Sequence, residues 1–157
     1  MPTRQYWLVK TEPSTFSFDD LLASPKQTTH WDGVRNYAAR NHLRSMKTGD
    51  LVLVYHSSAV PSAVVGLAEV VREAYPDPTA FDAKDSHYDP KSKREDPTWF
   101  MVDLRAVKKF AHPVTLDEVK KTKGLDQMAL VRLGRLSVQP VTSAEFEIVR
   151  KLAETKA

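Results

Sequence analysis

Five stretches of the chain have the residue pattern that is typical of β-strands. Four are short runs rich in apolar and β-branched residues, at positions 6–10, 51–55, 63–72 and 136–140. The fifth, 98–110, alternates: Phe100, Val102, Leu104 and Ala106 fall on one side and the intervening residues on the other. Gly66 interrupts one of these runs, which indicates a bulge or a group that approaches the backbone closely.

Helix starts are marked by side chains that cap exposed backbone amides. Ser17 with Asp20, Thr115 with Glu118, and Thr142 with Glu145 each place an acid three residues after a hydroxyl. Asn36 caps a further predicted helix that extends to about residue 46. Its inward face is expected to carry Ala39, Leu43 and Met46, and a basic stripe lies about 100° around the helix: Arg40, Arg44 and Lys47.

Two polar segments separate these elements. Residues 26–35 are expected to be irregular, although they carry Trp31 and Gly33. Residues 75–97 are rich in Pro, Asp, Lys and His and predict a long surface loop with one turn near 79–82. Loops of this length are uncommon in a small domain and are often functional.

The order of elements favours an α+β fold over a doubly wound one. Strands do not alternate regularly with long helices, so a parallel sheet with helices on both sides is not expected. A curled, mostly antiparallel sheet with helices at its ends fits the order better. The 157 residues suffice for one domain, and we expect positions 1–157 to form a single one.

Composition excludes several classes of protein. No apolar run approaches the roughly 20 residues that span a bilayer, so no membrane association is expected. The chain has no cysteine, which rules out disulfides, thiolate catalysis and cysteine-ligated metals. We expect a monomer in the cytoplasm, or in the nucleus if the source is eukaryotic.

The net charge of +3 is small, but the basic residues are unevenly distributed. Residues 33–49 contain three arginines and a lysine without an acid, and residues 105–123 form a second basic block. This pattern indicates either a one-sided positive field, as nucleic-acid binding needs, or a solvated surface without a partner.

The sequence contains little that indicates catalysis. It has no glycine-rich phosphate loop, and its five histidines have no metal-ligand spacing, so no catalytic residue, metal or cofactor is expected. Glu12 and Asp32 are interpreted as hydrogen-bond acceptors for loop amides or a ligand. Trp7 is expected in the core, whereas Trp31 suits a core position and a stacking surface equally well.

Six segments together resemble the EVE domain, over about residues 6 to 150. Their positions and sequences are 7–13 (WLVKTEP), 31–41 (WDGVRNYAARN), 55–57 (YHS), 65–70 (VGLAEV), 74–77 (AYPD) and 135–141 (RLSVQPV). The resemblance implies a PUA-like fold, a curled mixed β pseudo-barrel surrounded by short helices. This fold is similar to the YTH domain, which holds a methylated adenine of RNA in an aromatic cage.

The resemblance also implies a function: recognition of modified bases in DNA or RNA, especially modified cytosine. Trp31 would be the main stacking ring, and Tyr75, Tyr88 and Trp99 are candidates for a second one. The remaining base-contacting residues would be Lys10, Thr11 and Glu12 on one wall, Asp32, Gly33 and Asn36 along the rim, and Tyr55, His56 and Ser57 opposite. Phosphates would be held by Arg35, Arg40, Arg44 and Lys47.

Two other functions stay open at this point. The first is an enzyme that acts on a small nucleotide or nucleoside in the same pocket. The second is a structural adaptor that uses its basic face for protein contacts. Altered bases after incubation with modified oligonucleotides would indicate the enzyme, and loss of all nucleic-acid binding at low salt would indicate the adaptor.

Overall fold

The computed structural model describes residues 4–155, which contain one six-stranded sheet and five α-helices. The strands are β1 (Tyr6–Thr11), β2 (Thr28–Trp31), β3 (Leu51–His56), β4 (Ala63–Pro76), β5 (Phe100–Thr115) and β6 (Val138–Val141). The helices are α1 (Phe18–Ala23), α2 (Tyr37–Ser45), α3 (Leu116–Lys121), α4 (Ala129–Arg132) and α5 (Ser143–Thr155). Short 3₁₀ turns lie at Pro25–Gln27 and Pro78–Phe81.

The strand order across the sheet is β2-β5-β4-β3-β1-β6. β1 and β3 run parallel, and every other neighbouring pair is antiparallel. The expected mixed, mostly antiparallel sheet is therefore confirmed. The parallel pair needs a long connection, which α1, β2 and α2 supply.

Each face of the sheet carries its own hydrophobic cluster, because side chains alternate along the strands. In β3, Val52 and Val54 belong to one cluster with α1 and α2, and Leu53 and Tyr55 belong to the other with α3, α4 and α5. Trp7 lies in the first cluster, where its indole Nε1 donates to Asp50 Oδ2 at 3.0 Å. The prediction of a core tryptophan at this position is confirmed.

The predicted caps are all present. Ser17 and Thr115 form complete capping boxes with Asp20 and Glu118. The amide of Glu145 donates to Thr142 Oγ1, and the amide of Thr142 donates to Glu145 Oε1. Asn36 Oδ1 accepts from the Ala39 amide at 2.9 Å and starts α2.

The inward face of α2 is the predicted one, since Ala39, Leu43 and Met46 are fully buried. Gly66 meets both expectations for its position. The pairing of β3 with β4 shifts register near it, and an ideal Cβ there would lie 2.5 Å from the Phe18 ring. The absence of a side chain lets α1 pack against the strand.

The structure corrects several predictions about element boundaries, and the closing strand, expected at 136–140, lies at Val138–Val141. Residues 28–31, expected to be irregular, form the edge strand β2 against β5. β4 continues to Pro76, and β5 starts at Phe100 and ends at Thr115, because the two long strands pair over most of their length. The loop is accordingly 77–99, and its ends are joined by a hydrogen bond from the Asp77 amide to Trp99 O at 3.0 Å.

The 3₁₀ turn at Pro78–Phe81 lies where a turn is predicted within the long loop. No helix in residues 4–155 combines the length and apolarity that crossing a membrane requires.

Candidate functional site

A cavity of about 460 Å³ opens where β1 and β2 end; we call it the Trp31 pocket. Its walls come from five separate segments of the chain. They include Lys10 and Thr11 from β1, Thr15 and Phe16 before α1, the segment from Thr29 to Arg35, His87 from the long loop, and Ser137. Small-molecule sites in proteins have volumes of roughly 300–1,000 Å³, so the cavity is large enough for a nucleobase-sized ligand.

Trp31 contributes to the core and to the pocket wall at once. It is 8% exposed and belongs to the cluster beneath α1 and α2, yet it also lines the cavity. The ring of Phe16 meets it edge to face, with 6.2 Å between centroids and an 83° angle between planes. Trp31 therefore occupies a core position and also faces the cavity, so its place in the core does not remove it from the pocket wall.

His87 forms another wall because Gly33 has no side chain. Gly33 has a φ of +75°, and a Cβ there would lie 2.7 Å from the His87 ring. Asp85 orients the imidazole: its Oδ1 lies 3.2 Å from His87 Nδ1 and also accepts from the His87 amide at 2.8 Å. Backbone and imidazole are thereby in direct contact at the pocket rim.

Behind this rim, the buried carboxylate of Asp77 ties the loop to the segment after β2. Asp77 is fully buried and accepts from the Gly33 amide at 2.8 Å, from Thr79 and from Arg35 Nη1 at 3.1 Å. Burial raises the pKa of the Asp77 carboxyl, but these hydrogen bonds outweigh burial and leave that pKa below its ordinary value. The carboxylate thus remains ionised and holds the pocket wall in place.

The pKa of the Asp32 carboxyl is shifted in the opposite direction, upward. Desolvation by the surrounding protein raises the pKa of the Asp32 carboxyl, and the negative charge of Asp77 raises it further. Across the pocket, partial burial lowers the pKa of the Lys10 ammonium, which donates to Gly134 O. The pocket therefore presents an acceptor at Asp32 and a donor at Lys10 beside the indole and phenyl rings.

Of the ten predicted base-contacting residues, five line this pocket: Lys10, Thr11, Trp31, Asp32 and Gly33. Glu12 and Ser57 line an adjoining cavity that shares Lys10 and Thr11 with it. The structure thus brings together seven predicted residues along one continuous depression.

Three predicted residues lie elsewhere. Tyr55 is not among the lining residues, because it alternates with Val54 and packs in the cluster on the other face of the sheet, although the Lys10 ammonium lies 5.8 Å from its ring centroid. His56 accepts from the Phe18 amide through Nε2 at 3.0 Å, so its imidazole serves the start of α1. Asn36 caps α2 and lines a third cavity with Ala38, which shares Gly134 and Arg135 with the adjoining one but none of its lining residues with the Trp31 pocket.

The predicted phosphate-binding residues divide into two kinds. Arg35 is engaged with Asp77, Thr79 Oγ1 and His87 O, and Arg40 donates to Thr98 O at 3.0 Å and lies over the Tyr37 ring. These two guanidinium groups are already engaged by other parts of the chain. Arg44, over the Phe100 ring, and Lys47 are exposed.

None of the three aromatic residues considered as a second ring lines the pocket. Burial, and then the hydrogen bond that Tyr75 donates to Asp103, raise the pKa of Tyr75 to about 12. Trp99 Nε1 donates to Asp89 at 2.6 Å. The rings that line the pocket beside Trp31 are instead those of Phe16 and His87. The sequence analysis missed both residues. Phe16 directly precedes the helix cap Ser17, where an apolar residue normally packs against its own helix. His87 lies in a polar loop that has no recognisable sequence pattern.

No group of three or more acidic or histidine side chains within residues 4–155 is arranged to hold a metal ion. The groups that the pocket offers to a ligand are aromatic rings, an acidic acceptor and a basic donor.

Comparison with known proteins assigns this arrangement to a family. The family model of the EVE domain matches residues 5–152. The chain belongs to the EVE domain family. Its fold is the PUA-like fold of that family, here a curled, unclosed sheet with short helices.

Several known proteins are similar to the chain over nearly all of its length. Thymocyte nuclear protein 1 of Mus musculus is 46% identical, over 96% of this chain and 74% of its own. The crystal structure of human THYN1 protein in complex with 5-methylcytosine-containing DNA has a TM-score of 0.92 and 43% identity, covering 98% of this chain and 99% of that one. A protein of Pseudomonas syringae has a TM-score of 0.89 and 41% identity, covering 94% and 99%.

Proposed function

We propose that this EVE domain protein is a non-catalytic module that binds DNA containing a modified cytosine and holds the 5-methylcytosine base in the Trp31 pocket. The observation that carries the proposal is the pocket itself, in which an indole ring, an acceptor and a donor surround a cavity of about 460 Å³. The 5-methylcytosine-containing DNA in the human THYN1 complex supports the choice of base and polymer.

The aromatic part of the pocket suits the face of the base. A base taken out of its helix loses stacking and pairing worth a few kcal/mol, which the protein must replace. Stacking on an aromatic side chain contributes about 1–3 kcal/mol per base. Trp31 supplies the ring, and Phe16, edge-on to it, adds an apolar wall on which a methyl group gains about 0.8 kcal/mol by burial.

The polar part of the pocket suits cytosine better than thymine. Cytosine has an exocyclic amino group, and carboxylates of Asp and Glu accept hydrogen bonds from it. Thymine has a carbonyl oxygen at that position, which an ionised Asp32 repels. Lys10, which keeps two further ammonium hydrogens beyond the one it gives to Gly134 O, serves the carbonyl oxygen of the base.

The proposal is tested by titrating the protein with duplexes that differ by one methyl group on one cytosine. We expect tighter binding of the methylated duplex, and Trp31→Ala should weaken it by about 5–150-fold, the equivalent of 1–3 kcal/mol. Mass analysis of the recovered bases should find them unchanged. Equal affinity of the wild-type protein for both duplexes would overturn the reader function, and altered bases would indicate an enzyme.

A second variant separates binding from folding. Because Trp31 also packs in the core, its replacement by alanine costs about 3–5 kcal/mol of stability. Trp31→Phe retains a ring and most of the packing, so it should unfold close to the wild-type temperature while losing part of the affinity for the methylated duplex. Wild-type affinity in both variants would contradict the stacking role.

A further inference from the structure

The Trp31 pocket continues into an open groove along the surface. A cavity of about 970 Å³ shares Lys10, Gly33 and Ser137 with the pocket and extends to Gly134 and Arg135. A third cavity, of about 420 Å³, shares Gly134 and Arg135 with the second and ends at Asn36 and Ala38, where α2 begins. We call this continuous path from the pocket to α2 the Arg135 groove.

Arg135 differs from the other arginines along this face in having no partner. Among the described residues, its guanidinium makes no hydrogen bond, ion pair or ring contact. Every other arginine from position 35 onward holds an acid, a carbonyl oxygen or an aromatic ring. An exposed, unpaired guanidinium presents a planar fork of donors that matches a phosphate group.

The segment that carries Arg135 is anchored from below. The fully buried amide of Gln139 donates through Nε2 to Leu133 O at 3.0 Å and to Leu136 O at 2.9 Å. Lys10 donates to Gly134 O from the side. Arg135 therefore projects from a backbone that is held on both sides, so binding has to order only its side chain.

The shape and charge of the groove fit a nucleic-acid backbone. An ideal Cβ on Gly134 would have nothing within 4 Å, so a chain of sugars and phosphates has room to pass there. Lys10 and Arg135 are the cations of the groove, and Glu12 is the one acid among its lining residues. The groove thus leads away from the pocket with a net positive charge.

Building on the proposed function, we propose that the Arg135 groove holds the phosphates next to the modified nucleotide, and that Arg135 is their main contact. Arg135 recognises no base in this arrangement. It fixes the strand so that the nucleotide beside it reaches the Trp31 pocket, and its contribution is the same for methylated and unmethylated DNA.

The test compares Arg135→Ala with Arg132→Ala, which removes the same charge from a neighbouring exposed arginine whose Nε donates to Gln127 O. Affinities for the methylated and unmethylated duplexes are measured at several salt concentrations. Arg135→Ala should weaken both by the same factor and reduce the slope of log affinity against log salt by about 0.9, as expected for one lost phosphate contact. Arg132→Ala should leave the slope unchanged.

Arg135→Lys should keep most of the salt slope, because it keeps the charge. Equal slopes for wild type, Arg135→Ala and Arg132→Ala would overturn the role of Arg135. If the wild-type protein does not prefer the methylated duplex but Arg135→Ala still reduces the slope, the reader function fails and the phosphate contact stands.

Discussion

Asp32 and Asp77 lie in the same site, yet their pKa values move in opposite directions. Asp77 is held ionised by Gly33, Thr79 and Arg35 and maintains the wall, whereas the pKa of Asp32 is raised by desolvation and by the charge of Asp77. A carboxylate that is costly to keep ionised in the folded protein does not stabilise the fold. Its position at the pocket suits a ligand that donates a hydrogen bond to it.

Asp32→Asn should reduce the preference for 5-methylcytosine over thymine. The asparagine amide both accepts from an amino group and donates to a carbonyl oxygen, so it no longer repels thymine. Affinities for duplexes with either base at one position give the ratio, and Asp126→Asn, an exposed position outside the pocket, is the matched control. An unchanged ratio in Asp32→Asn would remove Asp32 from base recognition.

The same variant has an effect on stability with a defined sign. The pKa of Asp32 in the folded protein is raised above its ordinary 3.8, so the folded chain binds this proton more readily than the unfolded chain. The free energy of unfolding therefore falls as the pH rises from 3.8 through the folded-state pKa of Asp32. The cost is complete at pH 7, so Asp32→Asn should raise the melting temperature there. Well below pH 3.8, where both states are protonated, the difference should disappear.

Gly33→Ala should destabilise the protein more than Gly49→Ala. Both glycines have positive φ, at +75° and +95°, where an alanine costs about 1–2 kcal/mol. Only Gly33 has a neighbour in the way, the His87 ring, while the space at Gly49 is open. Urea unfolding of the two variants measures how much the clash with His87 adds to the loss of unfolding free energy. Equal losses of unfolding free energy would show that His87 does not pack against the Gly33 backbone.

At the scale of elements, capping signals in the sequence located four of the five described α-helices; α4, whose N-cap Met128 makes no side-chain cap, has no such signal. A hydroxyl or amide cap fixes where a helix begins, so Ser17, Asn36 and Thr115 located α1, α2 and α3. β2 was missed because it is a short edge strand with an exposed His30. Its pairing with β5 depends on residues far away in sequence, which no local pattern reports.

The basic stripe predicted along α2 has a testable role, which the structure narrows to Arg44 on the helix and Lys47 just after its C-cap. Since Arg40 is engaged with Thr98 O, the exposed Arg44 and Lys47 are the side chains to reverse in charge. Arg44→Glu with Lys47→Glu should weaken binding of methylated and unmethylated DNA alike and flatten the salt dependence. The thermal unfolding temperature should change little.

A matched control uses the second basic block of the chain. Lys120→Glu with Lys121→Glu makes the same change in net charge on α3, which packs against the opposite face of the sheet. We expect this variant to retain the salt slope of the wild type. Equal effects of both double variants would indicate a general response to net charge and would contradict a contact through α2.

At the scale of the whole molecule, the site depends on where the sheet brings distant segments. The Trp31 pocket combines the end of β1, the turn before α1, β2, the long loop and the segment before β6. The resemblance to the EVE domain identified Lys10, Trp31 and Asp32, because these residues lie within the segments that carry it. It could not place Phe16 and His87, because their contacts with Trp31 and Gly33 exist only after folding.

The most direct test of the central claim is to fill the Trp31 pocket without disturbing the core. Thr15 is exposed and lines the cavity, so Thr15→Trp should block it, whereas Ser14→Trp adds the same ring at the neighbouring exposed position outside the lining. The measurement is the ratio of affinities for duplexes with and without 5-methylcytosine. We predict a ratio near one for Thr15→Trp and the wild-type ratio for Ser14→Trp; a wild-type ratio in Thr15→Trp would show that the base is not read in this pocket.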